Sequence, residues 1–191
     1  SDLIEMDNAP QELSPTEDGF RLDDVNGDGL TDLLQIRFDA IDIWLNVEAD
    51  RWTPKRFILD KTPVTLPFAS RFRVVDINGS GTRDLLWGNA EKFQYMDLAG
   101  AKQPWLLTSV ANGLGKTTEL TYQSSVELML AAAKAGKPWT STTPNPMRVV
   151  TKKVDRDHLE VVGRPAGVYT TEYTYRNPSY DGRQREFRGF E

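Results

Sequence analysis

The sequence predicts a mainly β protein carrying one short helix. Three observations predict it: a strand-patterned segment that occurs twice in the first half, alternating runs in the second half, and one stretch with helix start and stop signals. The chain has 191 residues, 39% hydrophobic and 27% charged, the composition of a folded globular protein. Lys+Arg number 23 and Asp+Glu 28, a formal charge of -5, so no overall positive field gathers polyanions and nucleic acid is not expected as a partner. No run approaches the ~20 apolar residues that cross a bilayer, and the first residues carry neither a basic stretch nor an apolar core; no membrane insertion and no export signal of its own are expected. Zero cysteines exclude disulfides and thiol chemistry, and a single histidine, His158, excludes mechanisms needing two imidazoles.

The repeat organises residues 1–105. Phe20 to Leu34, FRLDDVNGDGLTDLL, recurs 52 residues later as Phe72 to Leu86, FRVVDINGSGTRDLL, with nine of fifteen positions identical. Each copy runs from an apolar lead-in through a loop dense in Asp, Asn and Gly into a short apolar run. Leu33–Phe38 reads as a strand, Asp39-Ala40 as a turn and Ile41–Asn46 as a second, alternating strand; the same shift places an alternating run at Phe93–Leu98. A unit of about 50 residues built of short strands is the size of a propeller blade, and propellers close with about 4 to 8 blades. Two copies predict a partial β-propeller of about two blades, with apolar faces such as Trp44 and Trp87 left without an adjoining blade.

The loops carry candidate metal ligands. In the first, Asp24, Asn26, Asp28, the Leu30 carbonyl and Asp32 stand at positions 1, 3, 5, 7 and 9, with Gly29 at 6, which is the opening half of a calcium loop. An EF-hand has Glu at position 12; here that position is Gln35, inside a strand. The second loop offers Asp76, Asn78, Ser80, the Thr82 carbonyl and Asp84. The other reading is an Asx-rich turn whose side chains bond their own backbone. Three carboxylates in nine residues repel one another in an empty turn, which favours Ca²⁺ at the first loop. Ser80 removes one charge from the second and Arg83 adds a positive one, which leaves metal and bare turn balanced there. Loops of the form D-x-N-G-D-G-x-x-D-L resemble the FG-GAP or VCBS-type repeats of integrin-like propellers, and that resemblance implies Ca²⁺ in the loop leading into a blade strand.

Residues 106–191 change character. Leu106 to Tyr122 reads as a hairpin about Asn112-Gly113-Leu114-Gly115. Ser124-Ser125-Val126-Glu127 has capping-box spacing, Leu128–Lys134 is rich in Ala and Leu, Gly136 suits the C-terminal cap and Pro138 stops the helix. Arg148–Val154, Leu159–Val162 and Gly167–Tyr175 read as β, with Tyr169–Tyr175 alternating strictly. Two such blades running into LLTSVANGLGKTTELTY, a helix ending at Ala135–Trp139, the PNPMRVV run Pro144–Val150, a Tyr-rich strand and the close DGRQREFRGFE resemble the B subunit of insecticidal Tc toxin complexes and SpvB-like virulence proteins; REFRGF also marks Rhs/YD-repeat shells. The resemblance implies a secreted, non-enzymatic structural segment: a propeller gate followed by the start of a β-shell that encapsulates a toxin. Its partners would be a channel-forming A subunit and a shell-completing C subunit. Open strand edges also predict self-association of the isolated segment.

Two other functions fit parts of the sequence: a calcium-dependent integrin-like adhesion or ligand-binding module, and a hydrolase holding a catalytic metal in an Asp-rich loop. Gly113-Leu114-Gly115-Lys116-Thr117-Thr118 ends like a phosphate loop, but its first Gly is replaced by Val110 and a strand rather than a helix follows. Arg183, Arg185 and Arg188 among Phe187 and Phe190 read as a charged strand face because Asp181, Glu186 and Glu191 lie beside them. His158 sits in a polar turn with no recognisable catalytic partner.

Overall fold

The structure, a computed structural model, describes residues 3, 5–10, 13, 19–54, 56–60, 62, 72–88, 91–100, 104–159, 162, 163 and 165–191. The fold is mainly β, with several antiparallel sheets and one helix; no sheet among the described residues closes on itself. It divides into two compact units, one formed by Ser1–Asn78 and Thr82–Trp105, the other by Gly79–Gly81 and Leu106–Glu191.

In the first unit, β1 (Phe20–Asp23), β2 (Asp32–Ile36), β3 (Ala40–Trp44) and β6 (Phe57–Asp60) make a four-stranded antiparallel sheet in the order β1-β2-β3-β6. A small hairpin, β4 (Asn46–Val47) with β5 (Arg51–Trp52), interrupts the run. The second copy folds as β7 (Phe72–Val75), β8 (Asp84–Gly88) and β9 (Phe93–Asp97), a three-stranded sheet. The repeat extends to the pairing itself: Phe20↔Gln35 and Leu33↔Trp44 become Phe72↔Trp87 and Leu85↔Met96. The segment 52 residues after β6 is Ser109–Asn112, and its first three residues form a strand of the second unit instead.

Alternation decides which side chains meet. Leu34, Ile36, Ile41 and Ile43 from the first sheet and Phe72, Leu85 and Trp87 from the second share one core with Val25, while Leu33, Trp44 and Trp52 form another cluster with Met6, Leu13 and Phe20 packed on it. Phe72 meets Trp87 edge to face at 5.4 Å. The expectation that Trp44 and Trp87 lie uncovered is corrected here: they are 9% and 6% exposed, because the two sheets bury against each other and the segments around Met6 and Trp52 cover the outer face. β3 is buried along its whole length, and its Asp42 is balanced by Arg37 at 2.7 Å and Arg56 at 3.4 Å.

In the second unit, β10 (Ser109–Ala111), β11 (Thr117–Ser124), β12 (Arg148–Arg156) and β13 (Val168–Glu172) form an antiparallel sheet in that order. The hairpin turn between β10 and β11 is fixed by Asn112 Oδ1, which accepts from the Leu114 and Lys116 N–H groups. Helix α1 (Ser125–Lys134) starts where β11 ends. Ser124 accepts from Val126 N–H, and Glu127 accepts from Ser124 N–H at 2.8 Å, completing the expected capping box. At the other end Gly136 takes a φ of +73°, and the Gly136 and Lys137 N–H groups donate to Ala133 and Ala132 carbonyls, a Schellman closure.

The expected long Tyr-rich strand is shorter than its alternation suggests: β13 ends at Glu172, with one further backbone bond from Tyr173 N–H to the Thr151 carbonyl, and Tyr175 turns into a cluster with Phe190, which also meets Trp139 and Phe187. The expected strand over Leu159–Val162 does not form at Leu159 or Val162, and its two middle residues lie outside the described residues. The chain closes with a hairpin of β14 (Ser179–Asp181) and β15 (Glu186–Gly189).

Two measurements check this architecture. Phe72→Ala removes a fully buried ring from the shared core and should cost about 3–5 kcal/mol in denaturant unfolding, whereas Phe38→Ser, at an exposed position, should stay within about 0.5 kcal/mol. In the second unit, Asp155 joins Thr118 Oγ1 at 2.6 Å, Lys153 at 3.0 Å and Lys116 at 3.1 Å. The Thr118 and Lys153 hydrogen bonds hold its carboxyl well below the usual carboxylate range. A depressed Asp contributes stability that is present above its unfolded value near 3.8 and is lost as pH falls toward the folded one. Amide protection in β11 and β12 should therefore fall on acidification below about pH 5 in the wild-type chain, and Asp155→Asn should flatten that dependence.

Candidate functional site

The two Asp-rich loops sit at the same place in each sheet, between β1 and β2 and between β7 and β8. At their base a buried aspartate closes the loop on itself. Asp32 Oδ2 accepts from Val25 N–H at 2.9 Å, and Asp84 Oδ2 accepts from Ile77 N–H at 2.9 Å. The glycines permit the tight reversal above it: Gly27 and Gly29 take φ of +77° and +89°, Gly79 and Gly81 +73° and +86°.

The first loop satisfies itself. Asp24 accepts from the N–H groups of Gly27, Asp28 and Gly29 at 2.8, 3.2 and 2.9 Å. Asn26 Oδ1 accepts from Asp28 N–H, Asn26 Nδ2 donates to Asp28 Oδ2, and Asp28 Oδ1 accepts from Leu30 N–H. Asp32 Oδ1 accepts from Asn46 N–H at 2.9 Å, so both of its oxygens are engaged. Burial pushes the Asp32 carboxyl up against the opposing pull of the Asn46 and Val25 amides, and Asp28 and Asp24 add to the rise. Asp24, Asn26 and Asp28 thus interlock as an Asx turn over Asp32.

The second loop differs at its buried aspartate. Asp84 is fully buried and also accepts from Asn78 N–H at 3.3 Å, yet its Oδ1 has no hydrogen-bond partner among the described residues. Burial raises its carboxyl, Ile77 and Asn78 oppose the rise, and Asp97 and Asp76 add to it. The positive charge expected from Arg83 is directed elsewhere, to Asp23 at 3.1 Å. Ser80 belongs to the second unit, where its carbonyl accepts from Arg148 Nε at 2.6 Å; Thr82 is buried beside Arg83. Among the described residues no three Asp, Glu, His or Cys side chains converge as a metal cage. The donor set is all oxygen, as a hard cation requires, and among the described residues Asp84 Oδ1 is a buried carboxylate oxygen without a hydrogen-bond partner.

Sequence reasoning missed Asp97, which comes from β9 and pairs in register with Asp84. The signal was available in the repeat, since the position 52 residues earlier is Leu45, so the acid is new to the second copy. The remaining motifs take structural places. Gly113–Lys116 form the hairpin turn and lead into β11, with Lys116 bonded to Asp155. His158 Nε2 lies 2.7 Å from Thr117 Oγ1 at an exposed position. Arg188 pairs with Glu186 at 3.1 Å and Asp181 at 3.6 Å. No helix among the described residues is long and apolar enough to cross a membrane.

The family described as the insecticide toxin TcdB middle/N-terminal region matches residues 52–191. The crystal structure of TcdB2-TccC3 is similar with a TM-score of 0.72 and 25% identity, covering 90% of this chain and 8% of that chain. That of TcdB2-TccC3-Cdc42 gives 0.72 and 25% over 94% of this chain and 8% of that chain. A Photorhabdus luminescens Tc holotoxin pore carrying a TccC3 mutation gives 0.70 and 25% over 90% and 8%. No curated protein matches. The chain spans 8% of the length of the solved chains it resembles. With the match taking in the end of the first sheet, the whole second copy and everything from the hairpin to Glu191, the chain belongs to the insecticide toxin TcdB middle/N-terminal region family.

Proposed function

We propose that this chain is a non-enzymatic structural segment of a secreted toxin-complex B subunit. In this reading residues 1–105 are about two blades of a partial propeller that contributes to a gate, and residues 106–191 begin the β-shell that encapsulates a toxic polypeptide. A channel-forming A subunit is the docking partner, and a C subunit completes the shell. The observation that carries the reading is the family match over residues 52–191, supported by the likeness to TcdB2-TccC3.

The energetics of the second unit favour a shell role. Among its described residues only Ser124, Ser125 and Pro178 are buried, while Val110, Leu130, Val168, Tyr169 and Tyr173 are exposed along the sheet and helix. A sheet with so little apolar burial of its own gains stability by extending into neighbouring strands. The same open edges β10 and β13 support self-association of the isolated segment.

Calcium in the loops belongs to the same proposal. Asp24, Asn26, Asp28, the Leu30 carbonyl and Asp32 would hold it in the first loop, and Asp76, Asn78, Ser80, the Thr82 carbonyl and Asp84 in the second. When bound it supplies positive charge that offsets the clustered carboxylates, a structural service and not a catalytic one.

The complete gene product carrying this sequence, co-expressed with a TccC3-type subunit, is expected to form a stable complex that shields the C subunit's toxic part from protease and to show no ATP turnover. A folded product that never retains the C subunit, or ATP turnover lost in Lys116→Ala, overturns the reading.

A further inference from the structure

The second sheet holds a contradiction that the first does not. Asp84 and Asp97 face each other across β8 and β9, one of them fully buried, and like charges directly opposite in a sheet destabilise it. In the first copy the corresponding partner position is Leu45, and the chain runs on so that Asn46 N–H reaches Asp32 Oδ1. In the second copy Asp97 Oδ1 instead accepts from the Ala99 and Gly100 N–H groups at 3.0 and 2.7 Å. That Asx turn bends the chain at Leu98, the counterpart of Asn46, and no amide reaches Asp84 Oδ1. A buried carboxylate oxygen left bare bears its full desolvation penalty, so an acid that causes this loss calls for a compensating ligand. The other oxygen of Asp97 accepts from Asn78 Nδ2 at 3.1 Å, which brings a loop side chain against the same pair of carboxylates.

We propose that Asp97 is a cation ligand from outside the loop, joining Asp84 Oδ1 and the Asn78 side-chain amide to hold one Ca²⁺ at the base of the second loop. The inference rests on the calcium reading above and deepens it: two carboxylates replace the charge lost at Ser80, and the strand partner of the buried aspartate takes the place of a loop position. On binding, the Asn78 amide turns its oxygen inward, an exchange that a side-chain amide makes without changing its shape. The second loop is then the stronger site, because the first has spent Asp24 and both Asp32 oxygens on backbone amides.

Calorimetric titration of the 191-residue chain with CaCl₂ after EDTA treatment tests this. The wild-type chain should take up Ca²⁺ and melt at a higher temperature with it. Asp97→Asn and Asp97→Ser, both of which keep an acceptor for Ala99 and Gly100, should weaken uptake about tenfold or more and abolish the rise in melting temperature, while Asp60→Asn, at the exposed end of β6 and outside both loops, leaves both intact. In the wild-type chain the Asn78 side-chain amide resonances should shift on adding Ca²⁺, a readout independent of how any variant folds. Uptake kept in both Asp97 variants but lost in Asp76→Asn overturns the role of Asp97 and leaves the loop reading standing. No uptake and no Asn78 shift in the wild-type chain overturns both.

Discussion

The hydrogen bond from a loop amide to a buried aspartate, Val25 to Asp32 and again Ile77 to Asp84, is the constraint on which the first unit depends. It spans seven residues, reverses the chain between two antiparallel strands and does so with a charged acceptor, which is worth about 1.5–3 kcal/mol when well made. Everything that packs nearby follows from that reversal. With the loop closed, β1 and β2 pair in one register, Leu34 and Ile36 point to the shared core, and a one-residue slip would carry both to the opposite face. The aspartate is costly to bury and is kept because no neutral side chain of that length accepts two backbone donors as firmly.

The two copies show how the same constraint tolerates different surroundings. Asp32 has both oxygens occupied because the chain continues extended past Trp44, whereas Asp84 loses its second donor where Asp97 makes a turn of its own. A single change of residue type, Leu45 to Asp97 in the repeat frame, alters the electrostatics of a loop whose backbone is otherwise conserved between the copies.

Much of this was legible in the sequence for local reasons. The strand β2 was visible as a short apolar run and β3 and β9 by the alternation of their sequence, and α1 because Ser124, Glu127 and Gly136 are local signals that need no tertiary partner. The hairpin β4–β5 and strand β6 were not, since each is short and defined by what it pairs with rather than by its own pattern. Burial of Trp44 and Trp87 depended on Phe72, Met6 and Trp52 arriving from distant parts of the chain, and the cluster around Phe190 joins residues 51 positions apart in sequence, Trp139 and Phe190. The residues named as candidate ligands lie in the two loops between paired strands, but which of their oxygens remain unengaged is a property of hydrogen-bond geometry that spacing alone does not carry.

The segment that stands 52 residues after β6 adds no strand to the sheet of β7, β8 and β9; Ser109–Ala111 pairs with β11 instead. The period of the sequence and the period of the sheets therefore fall out of step within the second copy. Cutting the chain at the 52-residue repeat boundary would therefore take Ser109–Ala111 from the sheet that β11 belongs to, while leaving the strands β1 to β9 in place.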